Sequence, residues 1–224
     1  MKKTFFLCAI LLFGMLTVAQ ATPVQIFSTE LVSGLNVDLN GDGQYSTLYA
    51  GEFQFIVNPG TPSAYETISY CIDPFQSFSS STIYLDAYEI LQVESYLGIN
   101  SMIGVAAYLM NEYAVAFNGM DEFADLYSEK DIAGGLQLAI WSILFPNISI
   151  SNSQTGDIYK VYDYIMGNMG EKQESLTEGF FTAFSSYKQD QLFRQAAPVP
   201  EPATMLLMGI GLLGLGVVGR KRLK

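Results

Sequence analysis

The sequence predicts an α+β fold, with an N-terminal β-sheet or sandwich, a central helical lobe and a closing C-terminal strand. Two patterns indicate this class. Apolar and polar residues alternate in the N-terminal half, whereas apolar residues recur every three or four positions from Asn100 onward. The chain has 224 residues and is 50% hydrophobic, which suits a single domain with targeting segments at its ends. We expect one domain followed by a C-terminal transmembrane helix.

The alternating pattern predicts strands over residues 24–37, 45–57 and 65–72. Turn-forming residues separate the first two strands at 40–43 and the next two at 58–62. Residues 83–93 fit either a strand or a helix. A final apolar run at 180–187 predicts the closing strand.

The helical pattern begins at residue 102 and continues to 117, where Asn118 and Gly119 end it. An acidic stretch follows at 121–130. Residues 132–145 are strongly apolar and end before Pro146, which predicts a buried helix with Asp131 near its N-terminus. A further helix is expected over 159–169.

The composition excludes several kinds of chemistry. The chain has no histidine, which removes Ser-His-Asp and Cys-His catalysis and histidine metal sites. Its two cysteines cannot form a four-thiolate metal site. Residues 22–200 carry 5 basic and 21 acidic residues, a net charge of −16. So acidic a body repels phosphate backbones, and we expect no nucleic-acid partner.

Residues 1–21 have the features of a secretory signal peptide. Lys2 and Lys3 precede an apolar run, and residues 19–21 form a small-x-small cleavage site. The apolar run is shorter than the roughly 20 residues that span a bilayer. We therefore expect export through the Sec translocon and cleavage by signal peptidase. Cleavage would remove Cys8 and leave Cys71 as the single cysteine, so no internal disulfide could form.

The C-terminus has three parts in order. Pro200-Glu201-Pro202 is followed by an apolar span over 203–218 and then by a basic end that contains Arg220, Lys221 and Arg222. Physically, this order gives a stiff linker, a short membrane span and a cytoplasmic stop. The three parts resemble the PEP-CTERM sorting signal of Gram-negative bacteria. That resemblance implies processing by exosortase and delivery to the cell surface or extracellular matrix after transient anchoring in the inner membrane.

Two acidic patterns offer alternative chemistry. Asp38, Asn40 and Asp42 lie at the alternating positions that open a calcium loop, and Gly43 follows them. Tyr49 stands where that loop requires a bidentate acid, and a β-turn accounts for the same residues, so we expect no metal or other cofactor. The many carboxylates also permit a glycosidase pair, although no pair stands out in the sequence.

Cys71 and Gln137 lie in unusual settings. A lone exported cysteine is a buried apolar residue, an interchain partner or a reactive thiol. Gln137 is an uncharged polar residue inside an apolar segment, and burying its carboxamide without partners would cost about 1–3 kcal/mol. Backbone groups could also satisfy it.

Two segments together resemble the internal thioester domain of bacterial surface adhesins. The first hallmark of that domain is a Tyr-Cys-apolar-acid strand, which Tyr70-Cys71-Ile72-Asp73 matches. The second is a Thr-Gln-x-apolar-apolar-Trp segment that opens a helix, which residues 137–141, from Gln137 to Trp141, match with Leu136 in place of the usual threonine. The runs at 106–111 and 189–192 are also similar to exported proteins of this kind. The resemblance implies a Cys71–Gln137 thioester, with Tyr70 and Trp141 limiting water access and Asp73 orienting nearby groups.

These patterns together predict an exported protein with residues 22–197 as a thioester-like domain and 198–224 as the sorting signal. The thioester would attach the protein covalently to an amine or hydroxyl on a surface or extracellular polymer. Since each molecule would react once, we expect no enzymatic activity. Two alternatives stay open: a passive component of an exopolysaccharide matrix without a live thioester, and a carbohydrate-active enzyme.

Overall fold

A computed structural model describes residues 21–39, 42–44, 46–77, 79, 82–85, 87–118, 125–150, 156–169 and 174–195. The chain divides into two compact units, Met1–Arg194 and Gln195–Lys224, and all of the described helices and strands lie in the first. The predicted sorting tail and all but the last residue of the predicted signal peptide lie outside the described residues. Within the described ranges, no helix has both the length and the apolar character needed to cross a bilayer.

The fold is α+β, as predicted, and its strands form one antiparallel sheet. The strands are β1 Val24–Asp38, β2 Ser46–Val57, β3 Tyr65–Cys71, β4 Ile83–Tyr84, β5 Glu89–Gln92, β6 Ser149–Ile150, β7 Phe180–Phe184 and β8 Gln191–Arg194. The helices are α1 Val93–Tyr96, α2 Ile103–Tyr113, α3 Val115–Asn118, α4 Glu129–Leu144 and α5 Asp157–Met169. The strand order is β4-β1-β2-β3-β8-β7-β5, and β6 pairs with the far end of β1.

The open choice over residues 83–93 resolves into both structures, because β4 and β5 precede the short helix α1. The strand expected over 180–187 is present as β7, but it does not close the fold. That strand ends at Phe184, and β8 follows it and pairs with β3 on one side and β7 on the other. The turn between β7 and β8 is fixed by Asp190, whose Oδ1 accepts a hydrogen bond from the Ser185 backbone N–H at 2.7 Å.

The helix α4 runs through the centre of the protein. Ser128 caps its N-terminus by accepting a hydrogen bond from the Asp131 backbone N–H, and the helix ends at Leu144, before Pro146. Leu136 and Ile140 belong to the buried cluster shared with α2 and α5, whereas Leu138 and Trp141 belong to the cluster that covers β1 and β2. Burial on both sides explains why this segment is apolar almost throughout.

Gly135 allows α5 to approach α4 closely. A Cβ atom at this position would lie 2.6 Å from Val161 Cγ1 and 2.9 Å from the Ile158 carbonyl oxygen. Both distances are shorter than van der Waals contact, so a larger residue would push the two helices apart. The spacing of α4 and α5 therefore depends on the absence of a side chain at residue 135.

Candidate functional site

Gln137 and Cys71 meet in the interior of the protein. The Gln137 Nε2 donates a hydrogen bond to the Cys71 carbonyl oxygen at 2.7 Å, and its Oε1 accepts one from the Cys71 backbone N–H at 2.9 Å. Gln137 is fully buried and Cys71 is 1% exposed. The structure thus brings together the two residues that the sequence selected from positions 66 apart.

The contact between Gln137 and Cys71 arises where the pairing of β3 with β2 ends. These strands pair from Tyr65, opposite Val57, to Ser69, opposite Phe53. In an antiparallel sheet, residues two apart present their backbone groups to the same neighbouring strand. The N–H and C=O of Cys71 therefore point to the side of β3 where β2 lies, but past the last residue that pairs with β2. There the Gln137 side chain of α4 makes the two hydrogen bonds that a neighbouring strand would otherwise make. The carboxamide is held in one orientation by two hydrogen bonds.

The Cys71 thiol lies in a buried, apolar setting. Burial raises its pKa well above the usual value, and the charges of Asp73 and Asp190 raise it further. The Trp141 indole N–H and the backbone N–H of Asp73 act in the opposite direction. Trp141 Nε1 has no hydrogen-bond partner in the described part of the chain. A thiol in this setting stays protonated and poorly nucleophilic toward solutes.

The residues expected to support the site have distinct positions. Tyr70 is fully buried and its hydroxyl donates a hydrogen bond to Glu52 Oε2 at 3.2 Å. It packs in the cluster with α2, whereas Trp141 and Cys71 share the cluster over β1 and β2. Asp73 forms a turn after β3 because its Oδ1 accepts a hydrogen bond from the Phe75 backbone N–H at 3.0 Å. Trp141 thus lies in the same buried cluster as Cys71, whereas Tyr70 packs in the other cluster.

The sequence reasoning missed the importance of Asp190. This carboxylate is only 3% exposed, and its Oδ2 accepts a hydrogen bond from the Tyr96 hydroxyl at 2.8 Å. Burial raises the pKa of Asp190 to about 6, despite hydrogen bonds from Ser185 and Tyr96 that oppose the rise, and Asp73 adds to it. The Asp190 carbonyl also accepts a hydrogen bond from the Ile72 backbone N–H, directly after Cys71. The resemblance at residues 189–192 drew attention to this segment of the sequence, but the sequence does not show that Tyr96 bonds to Asp190.

Two residues of the calcium-like pattern, Asp38 and Asp42, are joined by a side-chain-to-backbone hydrogen bond. Asp38 is 2% exposed, and its two carboxylate oxygens accept hydrogen bonds from the backbone N–H groups of Asp42 and Gly43. Gly43 has a φ of 81°, a conformation that glycine adopts readily. Asn40 lies outside the described residues. Among those described, no three acidic or thiol side chains cluster as a metal site would require.

Comparisons with known proteins identify the end of the chain. Residues 198–222 match the PEP-CTERM protein-sorting motif. This motif marks an exported protein that is anchored in the membrane before sorting, and it is consistent with processing by exosortase. It also includes the Pro200-Glu201-Pro202 and Arg220-Lys221-Arg222 segments singled out in the sequence.

For the body, no curated protein matches the chain. Among solved structures, it is similar to the N-terminal thioester domain of a surface protein from Clostridium perfringens. The TM-score is 0.46 at 10% sequence identity, over 78% of this chain and 99% of the other. The case for the site therefore rests on its own geometry.

Proposed function

We propose that this exported protein forms an internal thioester between Cys71 and Gln137 and uses it once, to attach itself covalently to a surface or extracellular polymer. The observation that carries the proposal is the two-point hydrogen bonding of the buried Gln137 carboxamide to the backbone of Cys71. That bonding holds the carboxamide against the backbone of Cys71, and both residues are buried.

Formation of the bond requires only these two side chains. The Cys71 Sγ attacks Gln137 Cδ, the C–N bond breaks, and the nitrogen leaves as ammonia with the thiol proton. The Cys71 backbone N–H donates to Oε1, where negative charge develops during the attack, and stabilises it. Close positioning takes the place of a histidine base, which the chain does not have.

The stored bond would then react with a nucleophile on the target. An amine or hydroxyl adds to Gln137 Cδ, the C–S bond breaks, and the nucleophile's proton ends on the Cys71 sulfur. Because burial raises the pKa of the Cys71 thiol, the released sulfur takes up this proton and does not persist as a thiolate. Trp141 and the surrounding apolar residues keep water, the competing nucleophile, away from the bond.

The C-terminal sorting motif is consistent with covalent attachment at a surface. The sorting motif supports delivery to the cell surface or matrix of a Gram-negative bacterium, with exosortase acting on the tail. Attachment through Cys71 and Gln137 would then join the delivered body to its target. A protein used in this way reacts once per molecule and is not an enzyme.

A passive matrix protein is the second candidate. Its support is that both polar atoms of the Gln137 carboxamide already bond to the Cys71 backbone, so the pair can act as a polar clamp between β3 and α4 without reacting. A carbohydrate-active enzyme is the third reading, and polysaccharide turnover that survives loss of Cys71 would support it.

Labelling with a biotin-tagged amine separates these functions. The wild-type chain should take up one tag at Gln137, and both Cys71→Ala and Gln137→Ala should abolish labelling. The matched control is Gln92→Ala, because Gln92 is exposed and its side chain caps no helix. If Gln137→Ala labelled as well as the wild type, the mechanism would be wrong.

A further inference from the structure

A cavity of about 330 Å³ lies beyond the end of β3. Its volume is within the range of small-molecule pockets, which is about 300–1,000 Å³. The cavity reaches the protein surface, because Ile99 and Ser186 in its wall are exposed. Neither Cys71 nor Gln137 lines it, so any ligand bound there is held apart from that pair.

Aromatic rings form part of the cavity wall. Phe145 and Phe184 both line it, and each makes an edge-to-face contact with a second ring. The ring of Phe145 lies 5.3 Å from that of Phe75 between centroids, and the ring of Phe184 lies 6.1 Å from that of Tyr96. Phe75 is 52% exposed. Exposed apolar residues of this kind, next to a concave site, are typical of ligand-binding grooves.

The polar part of the wall contains both acceptors and donors. Gln76 Oε1 is buried and has no hydrogen-bond partner within the described ranges. The position of this residue is fixed because its backbone carbonyl accepts a hydrogen bond from Gln189 Nε2 at 3.2 Å. Asp73 Oδ1 accepts a hydrogen bond from the Phe75 N–H, and the second carboxylate oxygen can accept one from a ligand. The donors are Gln76 Nε2 and the Ser186 hydroxyl.

This lining disfavours three classes of ligand. Two carboxylates line the cavity, and none of the described residues in its wall is a lysine or arginine, so an anion would be repelled. A purely apolar ligand would leave Gln76 Oε1 without a donor. A cation would leave the donors of Gln76 and Ser186 unmatched, and both oxygens of the Asp190 carboxylate already accept hydrogen bonds from Ser185 and Tyr96.

We propose that this cavity binds a neutral sugar ring of an extracellular glycan without forming a covalent bond. A pyranose ring carries C–H groups on its faces, which suit the aromatic wall. Each hydroxyl at its rim can both donate and accept a hydrogen bond, which matches Gln76 and Asp73. The exposed ring of Phe75 offers a contact for the next sugar along the chain. An exported protein meets such polymers, and the site does not depend on the thioester.

Binding is tested on the full chain carrying Cys71→Ala, in which no thioester can form and only reversible binding is measured. The methyl glycosides of glucose, galactose and mannose are titrated with detection by saturation-transfer NMR. We expect at least one of the three to bind saturably, and an equal concentration of cadaverine not to displace it. No binding by any glycoside, or displacement by cadaverine, would overturn the proposal.

The charge of the cavity gives a second test. Each of these glycosides has a uronic acid counterpart, which differs by a carboxylate on the same ring. Because two carboxylates line the cavity, the counterpart of the glycoside that binds should bind about tenfold more weakly or worse. Equal or tighter binding of the uronic acid would place the sugar at another site and contradict the proposal.

Gln76→Leu tests the hydrogen bonding within the cavity. It removes the unpaired acceptor and keeps most of the side-chain volume, so the variant should unfold at no lower urea concentration than the Cys71→Ala background. Affinity for the glycoside should fall about tenfold or more, because the sugar hydroxyl loses its acceptor. The matched control is Gln92→Leu, at an exposed position outside the cavity, which should leave affinity unchanged. Equal affinities of the Gln76→Leu variant and the background would refute the site.

Phe75→Ala tests the exposed ring and does not depend on a buried substitution. A trisaccharide of the sugar that binds should bind more tightly than the methyl glycoside, and Phe75→Ala should remove most of that difference. Tyr49→Ala removes an aromatic residue that is 64% exposed elsewhere, and it is expected to change neither affinity. Equal effects of the two substitutions would contradict the role of Phe75.

The outcomes for the cavity and for the thioester are separate. A chain that binds the glycoside but takes up no tagged amine supports the sugar site and refutes the thioester. A chain that is labelled by the amine but binds no glycoside refutes the sugar site alone.

Discussion

Replacing Gln137 tests the clamp between β3 and α4. Gln137→Ala removes the donor to the Cys71 carbonyl and the acceptor for its N–H, so two buried backbone groups lose their partners. Each such group costs about 1–3 kcal/mol, and the vacated side-chain volume adds to this. We expect a loss of about 3–5 kcal/mol in the free energy of unfolding, a large part of the stability of an ordinary domain.

The assay is urea unfolding in a Cys71→Ala background, where no thioester can form and the backbone groups of residue 71 remain. Gln92→Ala, at an exposed position, should change stability by no more than about 0.5 kcal/mol. If Gln137→Ala cost no more than this control, the carboxamide would not be acting as a bridge, and the geometric basis of the site would be lost.

Gln137→Glu sharpens the same test because it keeps the shape of the side chain. Ionised, it places a carboxylate oxygen against the Cys71 carbonyl; protonated, it donates to that carbonyl as Nε2 does. The pKa of this glutamate in the folded state is therefore raised above its usual value of about 4.3. The free energy of unfolding of the Gln137→Glu variant should be nearest to that of the Cys71→Ala background below about pH 4.3. It should fall as pH rises through the raised pKa of the glutamate in the folded state. A pH-independent difference from the background would contradict the bonding described.

Three further outcomes follow from other parts of the fold. Gly135→Ala should destabilise the protein by about 1–3 kcal/mol by thermal unfolding, and Val161→Ala should restore part of the loss, because the added methyl would lie 2.6 Å from Val161 Cγ1. The pKa of Asp190 is raised to about 6 in the folded state, so ionisation of Asp190 should lower the free energy of unfolding of the wild type as pH rises from 4 to 7. Asp190→Asn should therefore gain about 2–3 kcal/mol in the free energy of unfolding relative to wild type over that range. Parallel curves of stability against pH for the two proteins would contradict this. Ser128→Ala should cost about 1 kcal/mol in urea unfolding through loss of the cap on Asp131, and an unchanged midpoint would show that the cap contributes nothing.

The central helix was predictable because its signals are local. A long apolar segment, an acid at its start and Pro146 at its end indicated α4, and the structure places it at Glu129–Leu144. The extra turn at its N-terminus reflects the Ser128 cap. Strand β8 was missed because four residues are too few to establish alternation, and its position depends on pairing with β3 and β7.

The site was predictable only in part. Cys71 and Gln137 were linked through a resemblance, since nothing in the spacing of two residues 66 apart places them in contact. The physical reason became visible with the sheet, where β2 leaves the edge of β3 uncovered at Cys71. Asp190 was not assigned a role because its environment depends on Tyr96, 94 residues away, and burial of that kind cannot be read from composition.

The most direct test of the account is the intact mass of the purified body, residues 22–197, with and without methylamine. A thioester predicts a mass one ammonia below the sequence value and no thiol available for alkylation. Methylamine should then add one equivalent at Gln137 and release the Cys71 thiol. A full sequence mass with Cys71 alkylated under denaturing conditions would contradict the thioester and leave the Gln137–Cys71 contact as a structural clamp.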